Sequence, residues 1–172
     1  MPDLPLRQPG FEALFASVYP DLQRYFARRL GADQAEDAVA ETLTAVLAKW
    51  DSAPPTLDEQ RAWTFGFALN KLREAERSTI RQAKLEQASR ATADRDTTES
   101  PEGLIAANDR ARDLLARLPA GERDAIYLTV VAGLSSKQAA ATLGCTVSAI
   151  TTRVSRGRVR LRELLANEAA NA

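Results

Sequence analysis

Histidine is absent from the 172-residue chain, and cysteine occurs once, as Cys145. Without histidine, the sequence lacks the commonest general base and a frequent zinc ligand. A single cysteine excludes a disulfide within the chain and any metal site built from several thiolates. These absences argue against a metal-dependent or histidine-based enzyme, and we expect no cofactor.

Long apolar runs are also missing. No stretch approaches the roughly 20 apolar residues that span a bilayer. The first residues, MPDLPLR, lack the basic and apolar regions of a signal peptide. We therefore expect a cytoplasmic protein without membrane insertion.

The charges of the chain balance, but they are unevenly distributed. Basic and acidic residues number 23 each, so the formal net charge is zero. Residues 1–77 nevertheless carry a net charge of −3, and residues 113–172 carry +3. The segment from Cys145 to Arg162 holds five arginines and no acid. An acidic N-terminal part and a basic C-terminal part suggest two different partners.

Apolar residues in the first half recur at spacings of three and four, which predicts amphipathic helices. The first stripe covers residues 11–30, with a kink or restart expected at Pro20. Asp33 and Glu36 have the spacing of a capping box ahead of a second helix. No stretch alternates with period two for long enough to indicate a strand.

A third helix is predicted to begin after Thr56, with Glu59 completing its cap, and to run towards Leu85. The periodicity then fails over residues 87–102, where small and polar side chains dominate. Such a composition cannot bury a core and is typical of a flexible linker.

The predicted fold class is therefore all-α, with two small helical domains joined by a flexible linker. The predicted boundaries are 1–86 for the first domain, 87–103 for the linker and 104–172 for the second domain.

The second domain contains the pattern of a helix-turn-helix. Ser135 and Gln138 form a capping box before a short helix, Gly144 supplies the turn, and Thr146 caps a second helix. The inner face of that second helix is predicted to comprise Val147, Ile150 and Val154. Its outer face presents short hydroxyl side chains and arginines, which suit base edges and phosphates in a major groove.

A lone run of arginines is more often the solvated face of an ordinary helix. Here a helix, a glycine turn, a capped helix and a basic outer face follow in the order that DNA binding requires. We therefore predict that this unit binds DNA, and we interpret Cys145 as a small, half-buried thiol in the turn rather than a redox sensor.

Several motifs, taken together, resemble the extracytoplasmic-function (group IV) class of bacterial RNA polymerase sigma factors. Residues 35–42, AEDAVAET, are similar to region 2.2 of that family. Residues 63–70, WTFGFALN, followed by Arg73 and Arg77, resemble regions 2.3 and 2.4. Residues 118–126, LPAGERDAI, resemble the opening of region 4. The match continues through Gly133-Leu134-Ser135, Ala140, Leu143-Gly144-Cys145, Val147, Arg153 and Arg156.

The resemblance implies three sets of binding residues and no active site. Residues expected to bind core RNA polymerase are Glu36, Asp37 and Glu41. Residues expected to bind the melted −10 element are Trp63, Asn70, Lys71, Arg73, Arg77 and Arg81. Residues expected to bind the duplex −35 element are Ser148, Thr151, Thr152, Arg153, Ser155, Arg156 and Arg158.

The aromatic residues of the first domain divide between core and DNA in this interpretation. We expect Trp50 and Phe67 to pack in the core, and only Trp63 or Phe65 to lie near DNA. Core packing is the simpler explanation for each of them.

The implied function is a sigma factor that binds core polymerase, recognises −35 and −10 promoter elements and helps to open the duplex. An anti-sigma factor is an expected further partner. The alternative is a polymerase-independent helix-turn-helix regulator with a helical N-terminal domain. Such a regulator would bind a palindrome unaided.

Overall fold

A computed structural model describes residues 10–89 and 104–171, which are almost entirely helical. The helices are α1 (Phe11–Leu30), α2 (Ala32–Ala48), α3 (Leu57–Ser89), α4 (Leu104–Ala116), α5 (Ala120–Ile126), α6 (Ser136–Leu143) and α7 (Val147–Ala170). A 3-10 turn covers Trp50–Ser52, and a π-helical turn covers Tyr127–Val131. Since no strand occurs in these two ranges, the predicted all-α class is confirmed. In the same ranges, no helix combines the length and the apolarity needed to cross a membrane.

Helices α1, α2 and α3 pack together as the first helical unit. The predicted apolar stripes form its interior, because residues three and four apart share one helix face. Its fully buried large side chains are Leu14, Val18, Leu22, Tyr25, Phe26, Val39, Val46, Phe65 and Leu72. Trp50 is only half-buried, and it meets Phe11 edge-to-face with ring centroids 5.3 Å apart.

Two local details of this unit differ from the sequence prediction. Of the kink or restart expected at Pro20, the restart does not occur, because α1 continues through this exposed proline as one helix with a continuous buried stripe. Asp33 does not cap α2, because Gly31 ends α1 and directly precedes the first residue of α2. Asp33 lies instead in the first turn, where its charge still interacts favourably with the helix dipole.

Helix α3 begins as the sequence predicts but extends further. The Thr56 hydroxyl accepts from the Glu59 backbone N–H at 3.3 Å, which satisfies one of the free donors at the helix start. The helix continues through Ser89, three residues into the predicted linker. Residues 90–103, which make up the rest of the predicted linker, lie outside the described part of the chain.

Helices α4 to α7 form the second helical unit around a smaller core. Helix α7 crosses α5 and packs on α6, while the π-helical turn joins α5 to the segment before α6. Its buried apolar residues include Leu114, Leu118, Ala125, Ile126, Leu128, Leu134, Ala139, Ala140 and Ile150. The chain therefore contains the two predicted helical units.

The two units pack against each other along a seam. Helix α6 lies on the first half of α3, where the Thr142 hydroxyl donates to the Ala62 carbonyl at 3.0 Å. The π-helical turn lies on α1, where Tyr127 meets Tyr25 edge-to-face with ring centroids 6.3 Å apart. Buried residues of both units therefore form one continuous apolar cluster.

Tyr25 carries an unsatisfied polar group within that cluster. Its hydroxyl is buried without a hydrogen-bond partner among the described residues, and burial raises the pKa of Tyr25 well above its usual value. We expect Tyr25→Phe to raise the free energy of unfolding at pH 7 by about 1 kcal/mol, because the desolvation penalty of the hydroxyl disappears. Tyr19→Phe is the control, since the Tyr19 hydroxyl accepts from Gln23 at 2.9 Å and its loss should bring no gain.

The raised pKa of Tyr25 also predicts that the free energy of unfolding depends on pH. Above about pH 10 the phenol ionises in the unfolded chain but stays protonated in the folded one, so the unfolded state binds fewer protons and stability falls as pH rises. Each such group contributes up to about 1.4 kcal/mol per pH unit. Urea unfolding at pH 7 and pH 10.5 should show a smaller loss for Tyr25→Phe than for the wild type. Equal losses would contradict this account of Tyr25.

Candidate nucleic-acid interfaces

The helix-turn-helix forms through the caps that the sequence predicts. The Ser135 hydroxyl accepts from the Gln138 N–H at 3.1 Å, and the Gln138 side chain accepts from the Ser135 N–H at 2.9 Å. Gly144 adopts the left-handed region with φ of 62° and ends α6. The Thr146 hydroxyl then accepts from the Ala149 N–H at 3.1 Å and starts α7. Local hydrogen bonds thus set where both helices begin.

Helix α7 presents the recognition face, which we define by its exposed residues. Its members are Ser148, Thr151, Thr152, Ser155, Arg156 and Arg158. Three of them, Thr151, Ser155 and Arg158, line an open groove together with Ser136 at the start of α6. Short hydroxyls in the centre and arginines at the edges leave room for a duplex to approach closely.

Two residues of α7 differ from their predicted placement. Val147, predicted to face inwards, is 47% exposed because the inner face of α7 begins only at Ile150. Arg153, predicted to bind DNA, is half-buried. Its Nη1 donates to the Cys145 sulfur at 3.5 Å, and its Nε lies 3.4 Å from where a Cβ on Gly121 would be. The Arg153 side chain therefore lies against the turn and α5 and not on the recognition face.

Gly157 allows α7 to cross α5 closely. A Cβ at this buried position would lie 2.6 Å from Ile126 Cδ1 and 3.4 Å from Glu122 Cβ. We expect Gly157→Ala to lower the free energy of unfolding by about 1 kcal/mol, because overpacking outweighs the better helix propensity of alanine. Gly66→Ala is the matched control, since a Cβ there has no neighbour within 4 Å. It should raise stability by up to about 1 kcal/mol. Urea unfolding that gives both variants the same sign would contradict the close crossing.

Helix α3 carries the α3 basic face, which comprises Asn70, Lys71, Arg73, Arg77 and Arg81. An open groove brings four of these, all except Arg73, together with Phe67. Arg77 and Arg81 are exposed, as are most residues of this half of α3. A basic groove beside an aromatic ring suits the backbone and bases of an unpaired strand.

The aromatic residues of α3 divide differently from the prediction. Phe65 is fully buried and packs edge-to-face on Tyr25, so of the two alternatives, Trp63 or Phe65 near DNA, only Trp63 remains. Trp63 is half-buried and meets Phe67 edge-to-face with ring centroids 5.0 Å apart. Phe67 is likewise only half-buried, since residues 63 and 67 lie on the side of α3 opposite to the buried Phe65. Trp63 and Phe67 are therefore the two aromatics of α3 that leave part of the ring accessible, with Phe67 lining the groove of the α3 basic face.

Helix α2 carries the acidic face, which comprises Glu36, Asp37 and Glu41. All three are exposed, and Asp37 and Glu41, which are four residues apart, share one side of the helix. Glu41 forms an ion pair with Lys71 on α3. This pairing raises the pKa of Lys71 above its usual value, chiefly through the hydrogen bond to Glu41. Glu36 and Asp37 are the acids most available to a partner.

A charged cluster at the seam has no counterpart in the sequence prediction. It consists of the buried Arg29 and Asp124 with the partly exposed Glu76, beside Tyr127, and it joins α1, α3 and α5. The only local signal is Asp124 itself, an acid that falls among apolar positions of α5. Its partners lie far away in sequence, so no spacing rule could identify them.

Comparison with known proteins points to one family. Residues 108–161 match the family model for sigma-70 region 4. The chain is 34% identical to the ECF RNA polymerase sigma factor EcfG of Rhodopseudomonas palustris, over 94% of this chain and 88% of that protein. It is 34% identical to the RNA polymerase sigma factor CnrH of Cupriavidus metallidurans, over 76% of this chain and 72% of that protein.

Solved structures show the same arrangement of helices. CnrH in complex with the cytosolic domain of CnrY gives a TM-score of 0.67 at 26% identity, over 91% of this chain and 88% of that one. The sigma factor RpoE of Bartonella quintana, in complex with the anti-sigma factor NepR, gives a TM-score of 0.62 at 33% identity, over 91% and 96%. The two helical units, the helix-turn-helix and these similarities together establish that the chain belongs to the extracytoplasmic-function sigma factors of bacterial RNA polymerase.

Proposed function

We propose that the three surfaces divide the work of a sigma factor, which binds core RNA polymerase and directs it to promoters. The observation that carries this proposal is the recognition face, a capped helix whose hydroxyls and arginines are exposed on a helix-turn-helix. Nucleotide chemistry belongs to the polymerase, so the chain acts without an active site of its own. It works in the cytoplasm, where the polymerase and the promoter are.

Residues 104–172 act as region 4, which binds the duplex −35 element. The exposed position of Thr152, Ser155 and Arg156 supports direct contact with base edges, because short hydroxyls allow close approach and arginine pairs well with guanine. Arg158 lies to the side, where it contacts phosphates. Arg153 serves a different role, which is to hold the turn through Cys145.

Residues 1–86 act as region 2, which binds polymerase and the melted −10 element. Glu36 and Asp37 on the acidic face contact a basic surface of core polymerase. Trp63 and the α3 basic face bind the unpaired strand through stacking and phosphate contacts. Lys71 is released from Glu41 for this contact, since an exposed ion pair is weak.

An anti-sigma protein is a further partner. The support comes from RpoE of Bartonella quintana, whose structure was solved with the anti-sigma factor NepR and aligns with 91% of this chain. Because that similarity includes both helical units, such an inhibitor would contact the chain in the arrangement seen here.

Permanganate reactivity of promoter thymines tests the proposed function. Thymines of the −10 element should become reactive only when both core polymerase and this chain are present, because opening needs both. The alternative of a polymerase-independent regulator predicts no reactive thymines and protection of a palindromic duplex by the chain alone. That result would refute the sigma-factor assignment of these surfaces.

A further inference from the structure

The seam between the two units contains a buried guanidinium with partners from both units. The Arg29 side chain is 4% exposed, and its Nη1 donates to Asp124 Oδ1 at 3.1 Å. Its Nη2 donates to Glu76 Oε1 at 2.7 Å, and its guanidinium lies 4.5 Å from the centroid of the Tyr127 ring. Arg29 and Glu76 belong to the first unit, whereas Asp124 and Tyr127 belong to the second.

This cluster makes the contact between the units sensitive to the loss of either charged partner. Burial alone would lower the pKa of Arg29, but Tyr25 and the carboxylates of Glu76 and Asp124 raise it above its usual value. A buried ion pair offsets the desolvation of its charges only while both partners are present, so removal of one leaves the other buried and unpaired. Separating the units instead returns both Arg29 and Asp124 to water, which offsets part of the lost pairing.

The seam also engages residues of the proposed −10 interface. Arg73 of the α3 basic face lies 3.5 Å from Asp124, measured from Nη2 to Oδ2. Trp63 lines a groove whose opposite wall is Ala141 and Thr142 of α6. Asp124 thus pairs with Arg73, which would otherwise contact a phosphate. Helix α6 covers one side of Trp63.

The closed arrangement conflicts with simultaneous binding of both promoter elements. The −35 and −10 elements lie about 25 base pairs apart, which is about 85 Å along a duplex at 3.4 Å per base pair. In the closed chain the first helix of the helix-turn-helix touches the start of α3 directly, at Thr142 and Ala62. The units must therefore separate before both elements can be bound.

We propose that this seam is an autoinhibitory contact, in which Asp124 of region 4 holds Arg29 and Arg73 of region 2 and keeps the free chain closed. This inference rests on the proposed function of the α3 basic face. Only the open fraction of the chain assembles with core polymerase, so the closed seam lowers the apparent rate of assembly in proportion. Asp124 competes with the phosphates of the promoter for Arg73.

The test uses two variants of the full chain that weaken the seam in different places. Asp124→Asn removes the charge that both arginines contact but keeps the shape of the side chain. Thr142→Glu removes the contact with Ala62 and adds an acid, so a gain in binding cannot come from added positive charge. Asp113→Asn is the matched control, since it removes an exposed acid of the same unit away from the seam.

Small-angle X-ray scattering and the rate of association with core polymerase are the two measurements. Asp124→Asn and Thr142→Glu should each increase the radius of gyration and associate at least about tenfold faster, whereas Asp113→Asn should match the wild type. Circular dichroism shows whether each variant keeps the helical content of the wild type. If Asp124→Asn loses helical content, the result for Thr142→Glu alone tests the proposal.

Two outcomes would overturn the autoinhibitory contact. One is a wild-type chain that is already as expanded as both variants. The other is a pair of expanded variants that associate no faster than the wild type. Scattering needs no polymerase, so failure of the wild type to form a complex would refute the proposed function while leaving closure of the seam measurable.

Discussion

Arg156→Ala should change which −35 sequences the protein uses, whereas Arg158→Ala should lower activity on all of them. Arg156 is exposed on the recognition face beside Ser155, where a base edge would lie. Arg158 lines the open groove between α7 and the start of α6, next to Ser136, where a phosphate would lie. Loss of a base contact costs about 1–3 kcal/mol at one position, whereas loss of a phosphate contact weakens all sequences and reduces the salt slope by about one.

Transcription from promoters varied only in the −35 element, at several salt concentrations, measures both effects. Arg110→Ala is the control, because Arg110 is an exposed arginine of the same unit that pairs with Glu168 at 3.2 Å, away from the recognition face. It should leave sequence preference and salt dependence unchanged. Uniform loss in both Arg156→Ala and Arg158→Ala would mean that α7 enters the groove rotated about its axis.

Charge reversal of the acidic face should weaken core binding by about tenfold or more with little change in stability. Glu36→Lys with Asp37→Lys turns attraction to a basic polymerase surface into repulsion, and like charges across an interface are strongly unfavourable. The free energy of unfolding should change by less than about 0.5 kcal/mol, because both side chains are exposed. Binding to labelled core polymerase and urea unfolding measure the two quantities.

The matched control reverses two exposed acids elsewhere, Glu12→Lys with Asp113→Lys, and gives the same net charge. Core binding should then stay at the wild-type level. Glu41→Lys is best measured separately, because it also places a lysine against Lys71 and so repels the α3 basic face. An unchanged core affinity in the Glu36/Asp37 variant would refute the assignment of the acidic face.

Features that depend on neighbours in sequence were predictable. The capping box of Ser135 and Gln138, the left-handed Gly144 and the cap at Thr146 all form as the sequence indicates. Each involves residues at most three positions apart, so local sequence contains the whole interaction. The boundaries of the helix-turn-helix therefore follow from sequence, and with them the position of the recognition face.

The side of each helix that faces the core was only partly predictable from the sequence. The spacing of Trp63 and Phe65 allows either ring to face outwards, and packing of Phe65 on Tyr25 decides between them. Arg153 belongs by spacing to the edge of the recognition face, and its contact with Cys145 turns it inwards. Such choices depend on the shape of the neighbouring helix, which the periodicity of one helix does not contain.

Contacts between the two units were not predictable at all. Arg29 and Asp124 are 95 positions apart. In its own helix Arg29 is only a base of the last turn of α1, and Asp124 is only one of two acids in α5. Only the docking of the π-helical turn on α1, which brings the adjoining α5 near, gives them a common environment. The seam, and the regulation that we infer from it, therefore required the structure.

Reconstituted transcription on a promoter library tests the central claim most directly. Core polymerase alone should give no transcript, and core polymerase with this chain should transcribe promoters that share a −35 and a −10 element at fixed spacing. The variant Arg156→Ala should select a different −35 element from the same library. Transcripts that do not depend on the added chain, or selection of a single palindrome without a −10 element, would contradict the account.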